Sequence, residues 1–260
     1  MKILIAWRAD FLGLSGGMER VVTNFANEMS ARGHKVGLAY CHDSKEGSPF
    51  FPLSKEIQLM DMMKGPFKLS PPQKIKREWL RMKDKKKMYE QVDRWYLDFL
   101  CGPAEQVVSS FAPDIIVSVD PTTSVLLQYS EKIRKIPYVT MIHFPPSVAL
   151  RENSKQEKEA VEKSFVVQVL TESAKKELES RFPKASVVLI PNGVPEVKNP
   201  VDLRKSKDTY HAIFAARLDK VQKRQHLLIE AFAPIARRFP DWRIEFFGGE
   251  KQEELPILIN

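Results

Sequence analysis

Cysteine is scarce in this sequence, with only Cys41 and Cys101 among 260 residues. Two isolated thiols do not build the disulfide framework that stabilises small secreted proteins, so a reduced, cytoplasmic setting is predicted. Neither cysteine has a histidine or another cysteine at the spacing of a zinc site. The sequence therefore predicts no bound metal at these positions.

Long apolar runs are also absent. The opening run Ile3–Trp7 is ended by Arg8 and Asp10, so it is too short for a secretory signal or a membrane span and predicts a buried strand instead. The glycine fingerprint G-x-G-x-x-G does not follow this strand, which disfavours a nicotinamide cofactor.

Positive charge is concentrated in one segment. The chain carries a net charge of +8, and Lys64–Lys87 holds ten basic and two acidic residues, which equals the whole excess. We predict an anionic membrane surface or a lipid phosphate as its partner, at the inner face of a membrane. Nucleic acid is disfavoured because basic and aromatic residues are not interleaved elsewhere. The alternative is a helix packed on its own domain with a solvated basic face.

Short apolar runs alternate with helical patterns over most of the chain. Several runs are continuous, as in strands buried on both faces of a parallel sheet, and their alternation with helices favours a doubly wound α/β fold. The predicted strands of this sheet are Ile3–Trp7, Val36–Tyr40, Ile57–Leu59, Ile115–Val119, Tyr138–His143, Val166–Leu170 and Val187–Ile190.

A polar, proline-containing stretch divides the chain. We predict a first Rossmann-like domain at 1–195, a linker at 196–208 and the start of a second Rossmann-like domain at 209–260. Within the first domain, a long helical region is predicted over Pro72–Phe111, with a break near Gly102-Pro103.

Two loops contain residues suited to binding phosphate. Gly16-Gly17 follows the first strand and precedes a helix, where backbone N–H groups can approach a diphosphate closely. Arg217 and Lys223 lie between a later strand and its helix, and two such cations would neutralise the same phosphates from across a cleft. The alternatives are a plain glycine turn and a solvated basic loop.

Three further positions have both a functional and a structural interpretation. His143 ends a predicted strand, so we expect its side chain at the carboxyl edge of the sheet, although a lone histidine is more often structural. Glu19 is either a ligand-binding carboxylate or a favourable charge in the first turn of a helix. Asn192-Gly193 taken alone is a turn.

Several segments, none decisive alone, resemble one family through their order and spacing. That family is the family-4, or group 1, glycosyltransferases, which have the GT-B fold. The segments in chain order are Gly16-Gly17-Met18-Glu19-Arg20, Arg32-Gly33-His34-Lys35-Val36, Thr171-x-Ser173 with Leu178, Ile190-Pro191-Asn192-Gly193-Val194, Ala216-Arg217-Leu218, Gln222-Lys223-Arg224 with Leu227–Phe232, Pro240-Asp241-Trp242 and Phe247-Gly248.

The resemblance implies a transferase that moves a sugar from a nucleotide-sugar donor to a polysaccharide or lipid-linked acceptor. It implies retention of anomeric configuration, no metal and no other cofactor, so that cationic side chains stabilise the leaving group. It also implies three catalytic residues and a set of donor-binding residues. The catalytic residues are His143, Arg217 and Lys223, and the donor-binding residues are Gly16, Gly17, Glu19, Asn192, Gly193, Arg217, Lys223 and Gly248.

The sequence departs from the family pattern in three places. Ala216 and Arg224 replace glycines, which are mild changes. The larger departure is the end at Asn260, because the resemblance implies two donor-binding glutamates, eight positions apart, beyond that point. We therefore expect a second domain that is incomplete and a transferase activity that is impaired by truncation.

Two other functions remain open from the residues. One is a non-catalytic acceptor-domain module that binds lipid or a partner glycosyltransferase. The other is an epimerase of related fold, which the segment around Arg217 and Lys223 disfavours. Nucleotide release from a sugar donor separates the transferase from the binding module.

Overall fold

A computed structural model describes residues 1–42, 47–63, 65–150, 154–194, 202 and 208–248. The chain forms two compact units, Met1–Val194 and Pro195–Asn260, which we describe separately. Most of the predicted linker lies outside the described residues, and the predicted domain bounds stay a prediction.

The first unit is built on a seven-stranded, entirely parallel sheet, as the continuous apolar runs predicted. Its order is β3-β2-β1-β4-β5-β6-β7, so the direction of winding reverses between β1 and β4. The strands are β1 (Lys2–Ala6), β2 (Lys35–Tyr40), β3 (Gln58–Asp61), β4 (Ile115–Ser118), β5 (Tyr138–Ile142), β6 (Val166–Val169) and β7 (Val187–Leu189).

In the described residues of the first unit, seven α-helices connect or follow these strands. The first, α1, begins at the predicted glycine turn, and α3 is the longest, at 27 residues. The helices are α1 (Gly17–Ala31), α2 (Pro71–Lys83), α3 (Lys85–Phe111), α4 (Pro121–Tyr129), α5 (Pro146–Ala149), α6 (Lys155–Glu162) and α7 (Glu172–Arg181).

The central strands of the sheet are buried on both faces, which explains why they are mainly apolar. Ile3 and Ile5 of β1 belong to the core on the α1 face, whereas Leu4 and Ala6 belong to the core on the α3 face. All four side chains are at most 6% exposed. A third cluster packs β6 and β7 against α7 around Leu178.

A chain of buried hydroxyl groups crosses the centre of the first unit. The Oγ1 atom of Thr140 lies 2.7 Å from Ser124 Oγ and 2.6 Å from Ser164 Oγ. Ser124 Oγ also donates to Ser118 Oγ at 2.8 Å, and Ser164 Oγ donates to the carbonyl of Ala160 at 2.9 Å. These hydrogen bonds between buried hydroxyl groups join β4, α4 and β5 to the end of α6, and each hydroxyl gains a hydrogen-bond partner.

The predicted helix break near Gly102-Pro103 is wrong. Helix α3 runs through Pro103, and the break lies at Asp84, whose side chain accepts a hydrogen bond from the Lys87 N–H at 3.1 Å and so caps α3. Around the proline, Leu100 and Ala104 are buried against the sheet, and this burial offsets the hydrogen bond that proline cannot donate.

The second unit contains a single β–α–β motif in its described residues. Strands β8 (Tyr210–Ala215) and β9 (Trp242–Phe247) pair in parallel, and helix α8 (Gln225–Phe232) connects them. The helix ends before Pro234, and a short 3-10 turn, Ala236–Arg238, follows. No residue of either strand is buried.

Candidate functional site

The carboxyl ends of the parallel strands carry most of the predicted site residues of the first unit. The glycine turn follows β1, His143 follows β5 directly, and Asn192-Gly193 follows β7. In sheets of this order, ligands bind at this edge, in the crevice where the winding reverses. The fold therefore places these residues where a ligand is expected.

The two glycines of the turn differ in their surroundings. A Cβ atom on Gly16 would lie 2.3 Å from Glu19 Oε2, whereas a Cβ atom on Gly17 would meet nothing within 4 Å. Gly16 is thus needed for the approach of the Glu19 carboxylate, which is 8% exposed. Gly17, the first residue of α1, has open space beside it, and no side chain caps this helix end.

His143 lines a cavity of about 180 Å³ at the ends of β5 and β6. Thr171 caps α7 by accepting a hydrogen bond from the Ala174 N–H at 3.2 Å, and its hydroxyl lies 3.1 Å from that of Ser173. Among the described lining residues Glu177 carries the one charge, and it pairs with Arg181 at 3.3 Å. The lining residues are Ile142, His143, Phe144, Pro145, Pro146, Leu170, Thr171, Ser173, Ala174 and Glu177.

Burial favours the neutral form of the His143 imidazole. Burial lowers the pKa of His143 below its usual value of 6.5, and the neighbouring Gln168 amide opposes this shift in part. The Nε2 atom of His143 is buried and has no hydrogen-bond partner among the described residues. A neutral imidazole beside serine and threonine hydroxyls suits a neutral, polyhydroxylated ligand.

Gln168 is a residue that sequence reasoning missed. It lies on β6, is 6% exposed, and donates from Nε2 to the carbonyl of Ile190 at 2.5 Å. Its Oε1 atom is buried without a hydrogen-bond partner among the described residues. The signal available was a single amide inside the apolar run Val166–Leu170, which predicts a satisfied or ligand-facing group rather than core.

The structure does not bring every predicted residue of the first unit to this cavity. Gly16, Gly17, Asn192 and Gly193 are absent from its lining. Asn192 and Gly193 are exposed, two to three residues beyond the carbonyl that Gln168 holds.

In the second unit, the loop between β8 and α8 has a fixed shape. Asp219 is buried, and its carboxylate accepts hydrogen bonds from the N–H groups of Val221 and Gln222 at 3.0 and 2.7 Å. The Gln225 side chain accepts from the Asp219 N–H at 3.2 Å and donates to the carbonyl of Arg217 at 2.5 Å. These contacts hold the backbone of the loop and leave its cations outside.

Arg217 and Lys223 are both exposed on this loop. Arg217 Nη2 donates to Gln222 Oε1 at 3.3 Å, and the Lys223 N–H donates to the carbonyl of Asp219 at 2.9 Å. Gly248 lies beside the same loop, because a Cβ atom there would be 1.9 Å from the carbonyl oxygen of Ala216. The structure therefore groups the three predicted residues of the second unit around one loop.

Arg224 has a left-handed backbone, with φ at 55°. Glycine adopts this conformation without steric cost, whereas an arginine there costs about 1–2 kcal/mol. The replacement of the family's glycine is therefore less mild than the sequence indicated.

Neither a metal site nor a membrane span is found in the part of the chain that the structure describes. No group of three or more His, Cys, Asp or Glu side chains there is arranged to hold a metal ion. Among the described helices, none is long and apolar enough to cross a bilayer. The expectation that no metal or other cofactor is needed stays a prediction.

The sequence matches a known family profile over most of its length. The profile of Glycosyltransferase Family 4 covers residues 15–197, which include the glycine turn, the His143 cavity and Asn192-Gly193. A curated relative, an uncharacterized glycosyltransferase of Haemophilus influenzae, is 24% identical over 248 residues, which are 95% of this chain and 62% of the relative.

Solved structures share the fold at low sequence identity. Sucrose-phosphate synthase of Thermosynechococcus elongatus matches 96% of this chain and 63% of its own, with a TM-score of 0.64 and 14% identity. TarM of S. aureus, solved with fondaparinux, α-GlcNAc-glycerol and UDP, matches 100% of this chain and 75% of its own, with a TM-score of 0.67 and 10% identity. The lipopolysaccharide outer core galactosyltransferase WaaB matches 99% of this chain and 63% of its own, with a TM-score of 0.60 and 18% identity. The chain thus spans less than two thirds of the length of the curated relative and of two of these structures.

Proposed function

Because the chain belongs to glycosyltransferase family 4 and has a GT-B type α/β fold, we propose that it transfers a sugar from a nucleotide-sugar donor to a polysaccharide or lipid-linked acceptor, with retention of configuration. The observation that carries this proposal is the rigid β8–α8 loop, which presents Arg217 and Lys223 to solvent on a backbone fixed by Asp219 and Gln225.

The two cations stabilise the leaving group. In the reaction, the bond between the anomeric carbon and the diphosphate oxygen breaks, the acceptor hydroxyl oxygen forms the new bond to the same carbon, and the hydroxyl proton passes to the departing diphosphate. Negative charge therefore develops on the diphosphate, where Arg217 and Lys223 bind it. In the first unit, the open space beside Gly17 leaves its N–H at the start of α1 accessible to a ligand phosphate.

His143 binds the donor sugar as a neutral group. Sugar transfer passes through a transition state with positive charge on the ring, so an imidazolium beside the ring would be repelled. The lowered pKa of His143 avoids this repulsion, and the neutral ring still offers one donor and one acceptor. Positioning and leaving-group stabilisation then account for the catalysis, without a dedicated strong base.

The class of acceptor is inferred from similar proteins. One structure with this fold is a lipopolysaccharide outer core galactosyltransferase, and another holds α-GlcNAc-glycerol with UDP. These support an acceptor that is part of a surface glycan or is attached to a lipid.

The proposal is tested by calorimetry with a panel of nucleotide diphosphates. Arg217→Ala and Lys223→Ala should each weaken binding by about 1.5–3 kcal/mol, or roughly 10- to 150-fold, because each removes a charged hydrogen-bond donor. Arg237→Ala is the matched control, since Arg237 is equally exposed but follows α8 instead of preceding it, and it should leave the affinity unchanged.

Two outcomes would contradict the proposal. If both variants bind as tightly as the wild type, Arg217 and Lys223 do not hold the diphosphate. If the wild-type chain binds no nucleotide diphosphate, Arg217 and Lys223 are not sufficient to hold the donor, and the proposed role of their loop is wrong. Retention is checked separately, by the NMR coupling constant of the anomeric proton in the product.

A further inference from the structure

Helix α2 exposes a stripe of large apolar side chains. Ile75, Trp79 and Met82 are 73%, 49% and 79% exposed, and no residue of this 13-residue helix is buried. They are spaced four and three residues apart, so at about 100° per residue they share an arc of about 60°. The stripe is therefore continuous along one side of the helix.

The opposite side of α2 packs on its own domain. Gln73, Arg77 and Leu80 lie about half a turn from the stripe and are half-buried, as expected for residues that face α3. The apolar stripe thus points away from the rest of the first unit. The apolar side chains of the next helix differ in their exposure, since Leu97 and Leu100 of α3 are fully buried.

Basic residues flank the stripe on both sides. With residues spaced about 100° apart around the helix axis, Lys76 and Lys83 lie on one flank of the stripe, and Lys74 and Arg81 lie on the other. The Lys83 ammonium lies 4.3 Å from the centre of the Trp79 ring. Apolar side chains bordered by cations on both flanks are the pattern of a helix that lies in a membrane interface.

Acidic residues neutralise only part of this surface. Glu78 pairs with Arg77 and Arg81, both at 2.7 Å, and Asp84 caps α3. The following turn adds three exposed lysines and Tyr89, which is 65% exposed. Within the described residues, five lysines of this surface form no ion pair with an acidic side chain. They are Lys74, Lys76, Lys83, Lys85 and Lys86.

We propose that this α2 surface, residues 74–89, inserts its apolar stripe into the headgroup region of an anionic bilayer. A bilayer accommodates both properties at once, since acyl chains accept Ile75, Trp79 and Met82 while anionic headgroups pair with the lysines. The helix is about 20 Å long and lies flat in the interface. Attachment of this kind needs no membrane-spanning segment.

Two other partners fit the surface less well. A second copy of the chain would bring the same positive charge against it, which opposes association. A nucleic acid accounts for the lysines but leaves the aliphatic side chains of Ile75 and Met82 in water. The proposal stands independently of the sugar-transfer function, because binding to lipid requires neither donor nor acceptor.

Vesicle co-sedimentation tests the proposal with the full chain. Vesicles of phosphatidylcholine with about one third phosphatidylglycerol are compared with pure phosphatidylcholine, at low and high salt. The wild type should bind the anionic vesicles at low salt and lose most of this binding at high salt, because screening shortens the attraction to a few ångströms. The neutral vesicles should bind weakly at both salt concentrations.

Two variants separate the contributions of charge and insertion. The charge variant changes Lys83, Lys85, Lys86 and Lys87 to Gln. Its partitioning to anionic vesicles should fall at least about 100-fold, since each basic residue contributes about fivefold. Its control changes four exposed lysines elsewhere in the first unit to Gln and should bind as the wild type. The control positions are Lys155, Lys158, Lys176 and Lys184.

The apolar variant changes Ile75, Trp79 and Met82 to Ser. It should lose at least about 50-fold in partitioning while keeping its far-UV circular dichroism, because all three side chains are exposed in the folded protein. Phe165→Ser is its control, since Phe165 is a 66% exposed aromatic outside α2. Brominated lipids should quench the fluorescence of the wild type, and Trp79→Phe should remove most of this quenching.

Three results would overturn the proposal. Equal binding to neutral and anionic vesicles would remove the role of charge. An apolar variant that binds as tightly as the wild type would reduce the contact to surface adsorption. Preferential binding of single-stranded RNA over anionic vesicles, unaffected by the apolar variant, would identify a nucleic acid as the partner.

Discussion

At the scale of single residues, His143 links burial to pH dependence. Burial lowers its pKa below 6.5, so the folded protein binds this proton more weakly than the unfolded chain does. Stability should therefore fall as pH drops below about 6.5, until the pH reaches the lowered pKa of the folded state. The loss should be smaller in His143→Gln, which cannot take up the proton.

This prediction is checked by urea unfolding at pH 7.5 and pH 5.5, together with an NMR titration of the His143 ring protons. The wild type should lose more stability than His143→Gln over this interval, and its His143 should titrate below 6.5. An identical pH dependence of the two proteins, or a His143 pKa at or above 6.5, would contradict the prediction.

Residues that end strands were predictable, whereas residues whose role depends on a neighbour were not. His143 was found because it closes an apolar run at the carboxyl edge of a parallel sheet. Gln168 was missed because its importance arises from the pairing of β6 with β7, which brings it to the carbonyl of Ile190. The left-handed backbone of Arg224 is likewise a property of the loop and not of the residue type.

At the scale of secondary-structure elements, the hydroxyl chain around Thr140 gives a matched pair of substitutions. Thr140 is fully buried and contacts Ser124 and Ser164, whereas Thr23 of α1 is 1% exposed and its hydroxyl has no hydrogen-bond partner among the described residues. Thr140→Val should lower the free energy of unfolding by about 1–3 kcal/mol, because it leaves two buried hydroxyls with fewer partners. Thr23→Val removes an unsatisfied hydroxyl and should be neutral or stabilising.

Chemical denaturation of Thr140→Val and Thr23→Val measures the free energy of unfolding and so tests this prediction. Valine is nearly isosteric with threonine, is β-branched like it, as suits strand β5, and has a similar helix propensity, as suits α1, so differences in volume and backbone preference are small at both sites. Equal losses of stability in both variants would show that the hydroxyl contacts contribute nothing, and that the shape of the side chain alone matters.

The elements themselves followed closely from the sequence, with one informative exception. All seven strands of the sheet were predicted, and most of them are apolar runs because central strands of a parallel sheet are buried on both faces. The apolar positions from Ile75 to Phe99 recur at helical spacing apart from one gap, but the structure divides them at Asp84 between the exposed side chains of α2 and the mostly half-buried ones of α3. Periodicity shows which positions share a face of a helix and not what that face contacts.

At the scale of the whole molecule, the two units differ in how much of their sheet is buried. Strands β1 and β4 are covered on both faces, whereas β8 and β9 contain no buried residue, and Ile213 and Phe247 are 64% and 55% exposed. Few buried apolar contacts mean a low free energy of local opening. Backbone amides of β8 and β9 should therefore exchange with solvent at least about 100-fold faster than those of β1 and β4.

Hydrogen exchange followed by mass spectrometry measures this difference directly. Peptides covering residues 210–215 and 242–247 should reach full deuteration while peptides covering 2–6 and 115–118 remain protected. Equal protection of the two sets would mean that the second unit is as stable as the first despite its exposed strands.

The strand order of the first unit also determines when its central pair can form during synthesis. Strand β1 lies next to β4, and the Lys2 N–H donates to the side chain of Asp114, 112 residues further along the chain. At about 5–20 residues per second, a ribosome takes roughly 6–20 s to make that stretch. For this interval the nascent β1 has an open edge where β4 will pair, and its apolar side chains lack the cover of α3. A protein with this topology therefore carries an aggregation-prone strand edge early in translation, well before the carboxyl edge of its sheet is complete.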